Sequence, residues 1–192
     1  MMPRPLVLSI VGVQDAGKTR LIERILQVWT RQGWRVAVIK HDGHLWENAP
    51  DDWEKASSDT ERYIHSGAVA TVLAGGGRTL WRDMADQAAE QPLVLCRRLA
   101  DRARRQGRSL DAVLVEGFKS HPLPKLAMIR QASELNWLAG SPMNNLRAVV
   151  TTEGLMEAAA ALAVPVYRDG AVAELCADIE AGRLGDMRLV SG

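Results

Sequence analysis

The run Gly12-Val13-Gln14-Asp15-Ala16-Gly17-Lys18-Thr19 sets two glycines, a lysine and a hydroxyl residue at the spacing a polyphosphate requires. Such an anion is held by several N–H donors converging on it, and Gly12 and Gly17 let the backbone wrap closely where a Cβ would obstruct it. Lys18 is placed to bridge the outer phosphates, and the Thr19 hydroxyl to take one position on Mg2+. Two acidic positions extend this set. Glu116, followed by Gly117, suits a carboxylate that holds Mg2+ through water or orients an attacking water. In His41-Asp42-Gly43-His44, Asp42 offers a second carboxylate to the magnesium shell. The two histidines there can instead bind a transition metal, although no Cys partner lies near them, and a plain hydrogen-bonded loop is the third reading.

The elements that must position these groups are legible around them. Leu6 to Val11 is nearly continuously apolar, as a strand buried on both faces of a parallel sheet reads. Beyond Lys18, the residues Leu21, Ile22, Ile25, Leu26, Val28 and Trp29 follow helical spacing up to Gly33, a C-cap signal, so the helix points its positive end at the anion site. Arg35 to Lys40 reads as a second strand, which completes a βαβ unit and sends His41 out on the edge of the phosphate loop. His41 to Ser58 is polar and loop-like. Ala68 to Ala74 and Thr79 to Arg82 read as a β-hairpin joined by Gly75-Gly76-Gly77. Pro92 to Gln106 reads as an amphipathic helix, and Ala112 to Val115 as a buried strand ending at Glu116. Later strands are expected at Leu126 to Ile129, Ala148 to Thr151 and Val164 to Tyr167, with helices at Gly154 to Ala163 and Ala171 to Ala181. The alternation predicts an α/β fold of the P-loop NTPase type: a mostly parallel sheet flanked by helices, with an inserted β-hairpin.

With 192 residues, 47% of them apolar, the chain suits one domain spanning 1–192. Its formal charge of +1 gives no global field for nucleic acid or an anionic membrane. Cys96 and Cys176 form no disulfide framework or zinc motif, no stretch approaches the roughly 20 apolar residues of a membrane span, and no signal peptide precedes the motif. A soluble cytoplasmic protein is expected. The arginines between Arg97 and Arg108 read as the solvated face of their helix, with a phosphate-clamping lid or a partner surface as alternatives. Among six tryptophans, Trp29 has core spacing, whereas Trp46 and Trp53 in a polar loop suit an interface.

Taken in order, Gly12 to Thr19, Lys40-His41-Asp42-Gly43-His44, Asp59-Thr60 ahead of Ser66-Gly67-Ala68, Val115-Glu116-Gly117-Phe118-Lys119, and Pro124-Lys125 before a strand ending in Arg130 resemble the MobB family, adaptors of molybdopterin-guanine dinucleotide biosynthesis. The similarity spans roughly residues 5 to 170. It implies a weakly hydrolytic GTP-binding protein, usually a homodimer, that assists the guanylyltransferase MobA in molybdenum cofactor biosynthesis, with molybdopterin or molybdoenzyme maturation proteins as further contacts. On this resemblance, Gly12, Gln14, Asp15, Ala16, Gly17, Lys18, Thr19 and Arg20, with His41, Asp59 and Gly117, belong to the GTP site. Thr19, Asp42 and Glu116 then serve Mg2+, with Asp42 and Glu116 nearest the terminal phosphate. Asp59 matches an acidic position in the family's Gly-Lys-Asp-Ser stretch, but Ser57-Ser58-Asp59-Thr60 has no counterpart of that lysine. The Asn-Lys-x-Asp signature of many GTPases is absent. Thr151-Thr152-Glu153 is the candidate base edge, since a carboxylate accepts both N–H donors of guanine; an ordinary turn with Thr152 as N-cap is the alternative. A small-molecule kinase and a metal-insertion GTPase are the competing functions.

Overall fold

Every residue of strand β1 (Leu6–Val11) is buried, because the strand lies between two parallel neighbours and beneath helices on both faces. The computed structural model describes residues 4–41, 58–83, 91–141 and 143–189. By internal contacts these fall into two compact units, Met1–His41 with Pro92–Gly192, and Asp42–Gln91.

The first unit is built on a six-stranded sheet among the described residues. Its members are β1, β2 (Val36–Lys40), β5 (Ala112–Glu116), β6 (Lys125–Ile129), β7 (Leu146–Thr151) and β8 (Val166–Arg168). They lie in the order β2-β5-β1-β6-β7-β8, and every neighbouring pair is parallel. All six carboxyl ends therefore share one edge. Residues at β-period two divide the core. Leu6, Leu8 and Ile10 pack with α1 (Lys18–Arg31) and α6 (Val172–Glu180). On the opposite face Val7 meets α3 (Pro92–Arg105), and Val11 meets α4 (Ala132–Gly140) and α5 (Met156–Ala160).

Helix α1 is fixed by its apolar stripe Leu21, Ile22, Ile25 and Trp29, all buried. Trp29 is wholly enclosed, stacks on Trp34 at 4.9 Å between ring centroids, and donates its indole N–H to Glu180 of α6 at 2.9 Å. Burying such a side chain stabilises by roughly 3–5 kcal/mol, and the indole would cost part of that without its acceptor. Gly33, at φ +83°, ends the helix turn in the left-handed conformation expected of it.

The second unit contains α2 (Asp59–His65) and an antiparallel hairpin of β3 (Ala70–Gly75) and β4 (Arg78–Asp83). Gly75 belongs to the strand, and Gly76 and Gly77 alone make the turn, both at positive φ as a type I′ turn requires.

The strands and hairpin expected from sequence are all present, with ends moved by one or two residues. Helices α2 and α4 were not foreseen. Helix α4 carries Ser133 and Asn136 and buries only Glu134 and Leu138, so it lacks an apolar stripe that periodicity can detect. Among the described residues no helix is long and apolar enough to cross a membrane.

Candidate functional site

The phosphate loop joins β1 to α1 and opens at the carboxyl edge of the sheet, the edge where open α/β sheets bind ligands. Its two glycines have separate reasons. A Cβ on Gly12 would stand 2.8 Å from the carbonyl oxygen of Met128 in the neighbouring strand. Gly17 adopts φ +92°, and a Cβ there would stand 2.8 Å from Arg130 Nε. Ala16 is buried, while Gln14 and Asp15 are exposed at the tip, with Asp15 also left-handed at φ 59°. Lys18 donates from Nζ to the Val13 carbonyl at 2.7 Å, so the ammonium reaches across the loop rather than out to solvent. Arg20 is exposed on the first turn of α1.

Glu116 closes β5, the strand next to β1, and is half-buried. The Thr19 hydroxyl donates to its carboxylate, with oxygen separations of 3.0 and 3.2 Å. The following residue is locked in place: Gly117 N–H donates to the Ile10 carbonyl at 3.0 Å, and the Gly117 carbonyl accepts from the buried Ser9 hydroxyl at 2.7 Å. Ser9 is thus the reason a polar residue interrupts the apolar strand. Gly117, at φ +98°, passes close to His41, whose Cβ would lie 3.3 Å from a Cβ placed there. His41 N–H donates to the Glu116 carbonyl at 3.0 Å, and its ring packs on Phe118 at 4.3 Å between centroids.

The structure therefore gathers Gly12, Lys18, Thr19, Glu116, Gly117 and His41 on one sheet edge. Asp59 is at the start of α2 in the second unit, where its exposed carboxylate lies 3.5 Å from Arg62. Asp42, His44, Trp46 and Trp53 lie outside the described residues. At the candidate base edge, Thr152 takes the N-cap position of a 3-10 turn, Glu153–Leu155, without a side-chain capping bond, and the Glu153 carboxylate accepts from Arg168 at 3.0 Å.

Two residues that enter the sequence reading only within the family pattern have partners it did not reveal. Arg130 follows β6 and donates from Nε to the Ala16 carbonyl at 2.9 Å. Lys125 opens β6, is completely enclosed, and donates from Nζ to the carbonyls of His121, Leu123 and Asn144. Burial pushes its pKa below the ordinary lysine value. A lysine at the head of an apolar strand was the available signal; its carbonyl partners come from two loops that sequence does not place together.

Comparison with known proteins supplies the family. Residues 7–152 match the family MobB, molybdopterin guanine dinucleotide synthesis protein B. The probable molybdopterin-guanine dinucleotide biosynthesis adapter protein of Bacillus subtilis is 34% identical over 71% of this chain and 71% of its own length. The corresponding adapter protein of Haemophilus influenzae is 32% identical over 65% of this chain and 64% of its own length. The crystal structure of a MobB protein homolog from Bacillus stearothermophilus superposes with a TM-score of 0.60 at 25% identity, covering 91% of this chain and 95% of that one. With the family match running from β1 through the phosphate loop, Glu116 and Arg130 to the end of β7, the chain belongs to the MobB family.

Proposed function

We propose that the chain binds GTP with Mg2+ in its phosphate loop and acts as a nucleotide-dependent adapter with slow GTPase activity in molybdenum cofactor biosynthesis. On this reading it assists a MobA-type guanylyltransferase in forming molybdopterin guanine dinucleotide. The observation that carries the reading is the 3.0 Å contact between the Thr19 hydroxyl and the Glu116 carboxylate at the mouth of the loop. A hydroxyl at the start of a helix and a carboxylate at the end of the adjacent strand are the oxygen donors a magnesium ion takes, by direct contact or through water.

The residues fit the group. Gly12 and Gly17 let the loop backbone pack against the Met128 carbonyl and the Arg130 guanidinium in a wrapped conformation that a Cβ would obstruct. Lys18 already engages an oxygen, the Val13 carbonyl, and a phosphate oxygen is the stronger acceptor for an ammonium. Bound Mg2+ would neutralise charge on the outer phosphates. Thr19 and Glu116 would hold that ion and Glu116 would orient water, with Asp42 assigned to the same shell. Gln14, Asp15, Ala16 and Arg20 frame the loop, and Gly117 and His41 buttress Glu116 from behind. Guanine preference rests on family membership, because Glu153 must exchange Arg168 for a base before it can read one.

A homodimer formed through the hairpin belongs to the same proposal. Val72 faces Trp81 and Leu73 faces Leu80 across the strands, and all four are exposed. Adjacent positions point to opposite faces, so both faces of a two-stranded ribbon carry apolar surface, and a ribbon of that size is marginal without cover. Buried free cysteines support a reducing cytoplasm.

The test is a paired titration of the full chain with GTP and ATP, with and without Mg2+, beside Lys18→Ala. Selective, magnesium-dependent GTP binding that the substitution removes is the expected result. Tighter ATP binding, or binding indifferent to Lys18→Ala, would overturn it.

A further inference from the structure

Arg130 lies outside the phosphate-loop motif, yet its guanidinium rests directly on the loop. Nε donates to the Ala16 carbonyl at 2.9 Å, and the Cβ that Gly17 lacks would fall 2.8 to 3.2 Å from Nε, Nη2 and Cζ. The arginine is held on three sides. Its own N–H donates to the carboxylate of the buried Glu134 at 2.8 Å. Its Nη2 faces Asp169 Oδ2 at 4.0 Å. Asp169 is itself pinned, with its N–H on the Thr151 carbonyl at 2.7 Å and its carbonyl accepting from Arg24 of α1 at 2.6 Å. The circuit thus runs from the loop to Arg130, on to Asp169 after β8, and back through Arg24 to the helix that the loop begins.

We propose that Arg130 is a positioning residue of the phosphate loop, fixing the Ala16–Gly17 peptide so that its N–H faces the bound polyphosphate. The physical reason is the planarity of the trans peptide, in which C=O and N–H point in opposite directions. When the Ala16 oxygen is drawn to the guanidinium, the Gly17 N–H is turned away from Arg130 and a carbonyl dipole that would repel an anion is removed from the cradle. Gly17 has φ +92°, a conformation that glycine holds loosely in isolation because much of φ/ψ space is open to it. Arg130 supplies the restraint that glycine itself does not. Asp169 in turn stops the guanidinium from swinging into the cradle as a direct phosphate ligand.

This inference rests on the nucleotide-binding reading, and the experiment separates the two. Calorimetric titration of the full chain with inorganic pyrophosphate and with GTP, each with and without Mg2+, is made for the wild type, Lys18→Ala, Arg130→Ala and Arg130→Lys. Arg130→Ala is expected to weaken pyrophosphate and GTP alike, by about tenfold, the range of one hydrogen bond to a charged group. The stoichiometry and the factor by which Mg2+ tightens GTP should stay as in the wild type, because Thr19 and Glu116 do not touch Arg130. Added guanidinium ion should restore part of the affinity to Arg130→Ala and none to Lys18→Ala. Arg130→Lys keeps the charge but cannot serve Ala16 and Asp169 together, and several-fold weakening is expected; it carries the test if the alanine variant fails to fold. Unchanged pyrophosphate affinity in both Arg130 variants, with Lys18→Ala inactive, would overturn the proposal alone. A fall in stoichiometry at unchanged affinity would also overturn it, by reducing Arg130 to a folding role. Unchanged binding in Lys18→Ala would overturn the nucleotide reading and this proposal with it.

Discussion

The Thr19 hydroxyl lies 3.0 Å from Glu116 Oε2, although 97 residues separate them in the chain. The register of β1 against β5 makes the meeting unavoidable: Ile10 pairs with Glu116, so the carboxylate emerges at the level where β1 turns into the loop. Gly117 is then held to β1 twice, through Ile10 and Ser9, and Glu116 cannot drift from the loop without breaking those bonds.

Replacing Thr19 by Ala should remove the gain in GTP affinity that Mg2+ brings, while leaving magnesium-free binding nearly intact. A charge-assisted contact of this type contributes about 1.5–3 kcal/mol, so a loss of roughly 10- to 150-fold in the presence of Mg2+ is expected. Titration with and without chelator measures it, and an equal loss in both conditions would place Thr19 on the phosphates rather than the metal.

The two loop glycines should fail differently. In Gly12→Ala the new methyl meets the Met128 carbonyl at 2.8 Å, which is backbone of a central strand and cannot yield, so the fold itself should lose about 2–4 kcal/mol. In Gly17→Ala the methyl meets the guanidinium of Arg130, the far end of a flexible side chain, and the φ of +92° adds about 1–3 kcal/mol of strain. Denaturant unfolding should therefore show the larger stability loss for Gly12→Ala, whereas Gly17→Ala should retain the fold and lose phosphate affinity.

These contrasts mark how much of the site was legible in sequence. The phosphate loop was readable because its glycines, lysine and hydroxyl are contiguous and flanked by an apolar strand and a periodic helix. Glu116 was singled out as a carboxylate that ends an apolar run and is followed by a glycine, and the structure sets it beside Thr19. Arg130 was legible only as the end of its strand in the family pattern; its contact with the loop was not, since nothing local distinguishes an arginine that leans on a loop 114 residues away from one in solvent. Ser9 interrupts one apolar run and Lys125 heads another, and neither residue type announces its partner. Each has a partner supplied by a distant loop, and such partnerships follow from strand order, which alternating strands and helices leave open.

The thiols of Cys96 and Cys176 are both pushed up to about 12, mainly by burial, and both residues are buried in the core. An ordinary cysteine titrates near 8.5 and reacts readily at mildly alkaline pH. The folded protein should therefore show almost no reaction with a thiol reagent at about pH 8, and both thiols should appear on denaturation. Fast labelling of the native chain would mean that α3 or α6 opens locally, because those helices carry the two residues.

Placing charge on the hairpin should test its role as a contact between copies. Trp81 is 61% exposed and Leu73 58%, and these two side chains belong to opposite faces of the ribbon. If two chains associate here, Trp81→Glu or Leu73→Glu buries an unpaired carboxylate and shifts the mass in solution from dimer to monomer, at a cost of several kcal/mol. Light scattering reads the mass. A wild-type monomer, or a dimer untouched by both substitutions, would remove the hairpin from the interface.

Lys125 should prove a structural charge. Its three acceptors lie in the turn after Phe118 and in the segment before β7, so one ammonium ties two loops that the sheet alone leaves separate. Lys125→Met fills the volume but leaves the fully buried Leu123 contact without its donor, at about 1–3 kcal/mol, and weakens the two partly buried ones, which water can serve in part. A total of roughly 2–4 kcal/mol is expected, which lowers the melting temperature of a chain of this size by about 5–15 °C. Burial lowers the folded-state pKa beneath the unfolded value of about 10.4. In the window between the two, the unfolded chain holds more protons than the folded one, so the wild type gains stability as pH rises. Lys125→Met has no such gain, and the stability gap between the two proteins should widen toward that upper limit. A gap that narrows with rising pH would show that the three carbonyls hold the ammonium more firmly than burial disfavours it.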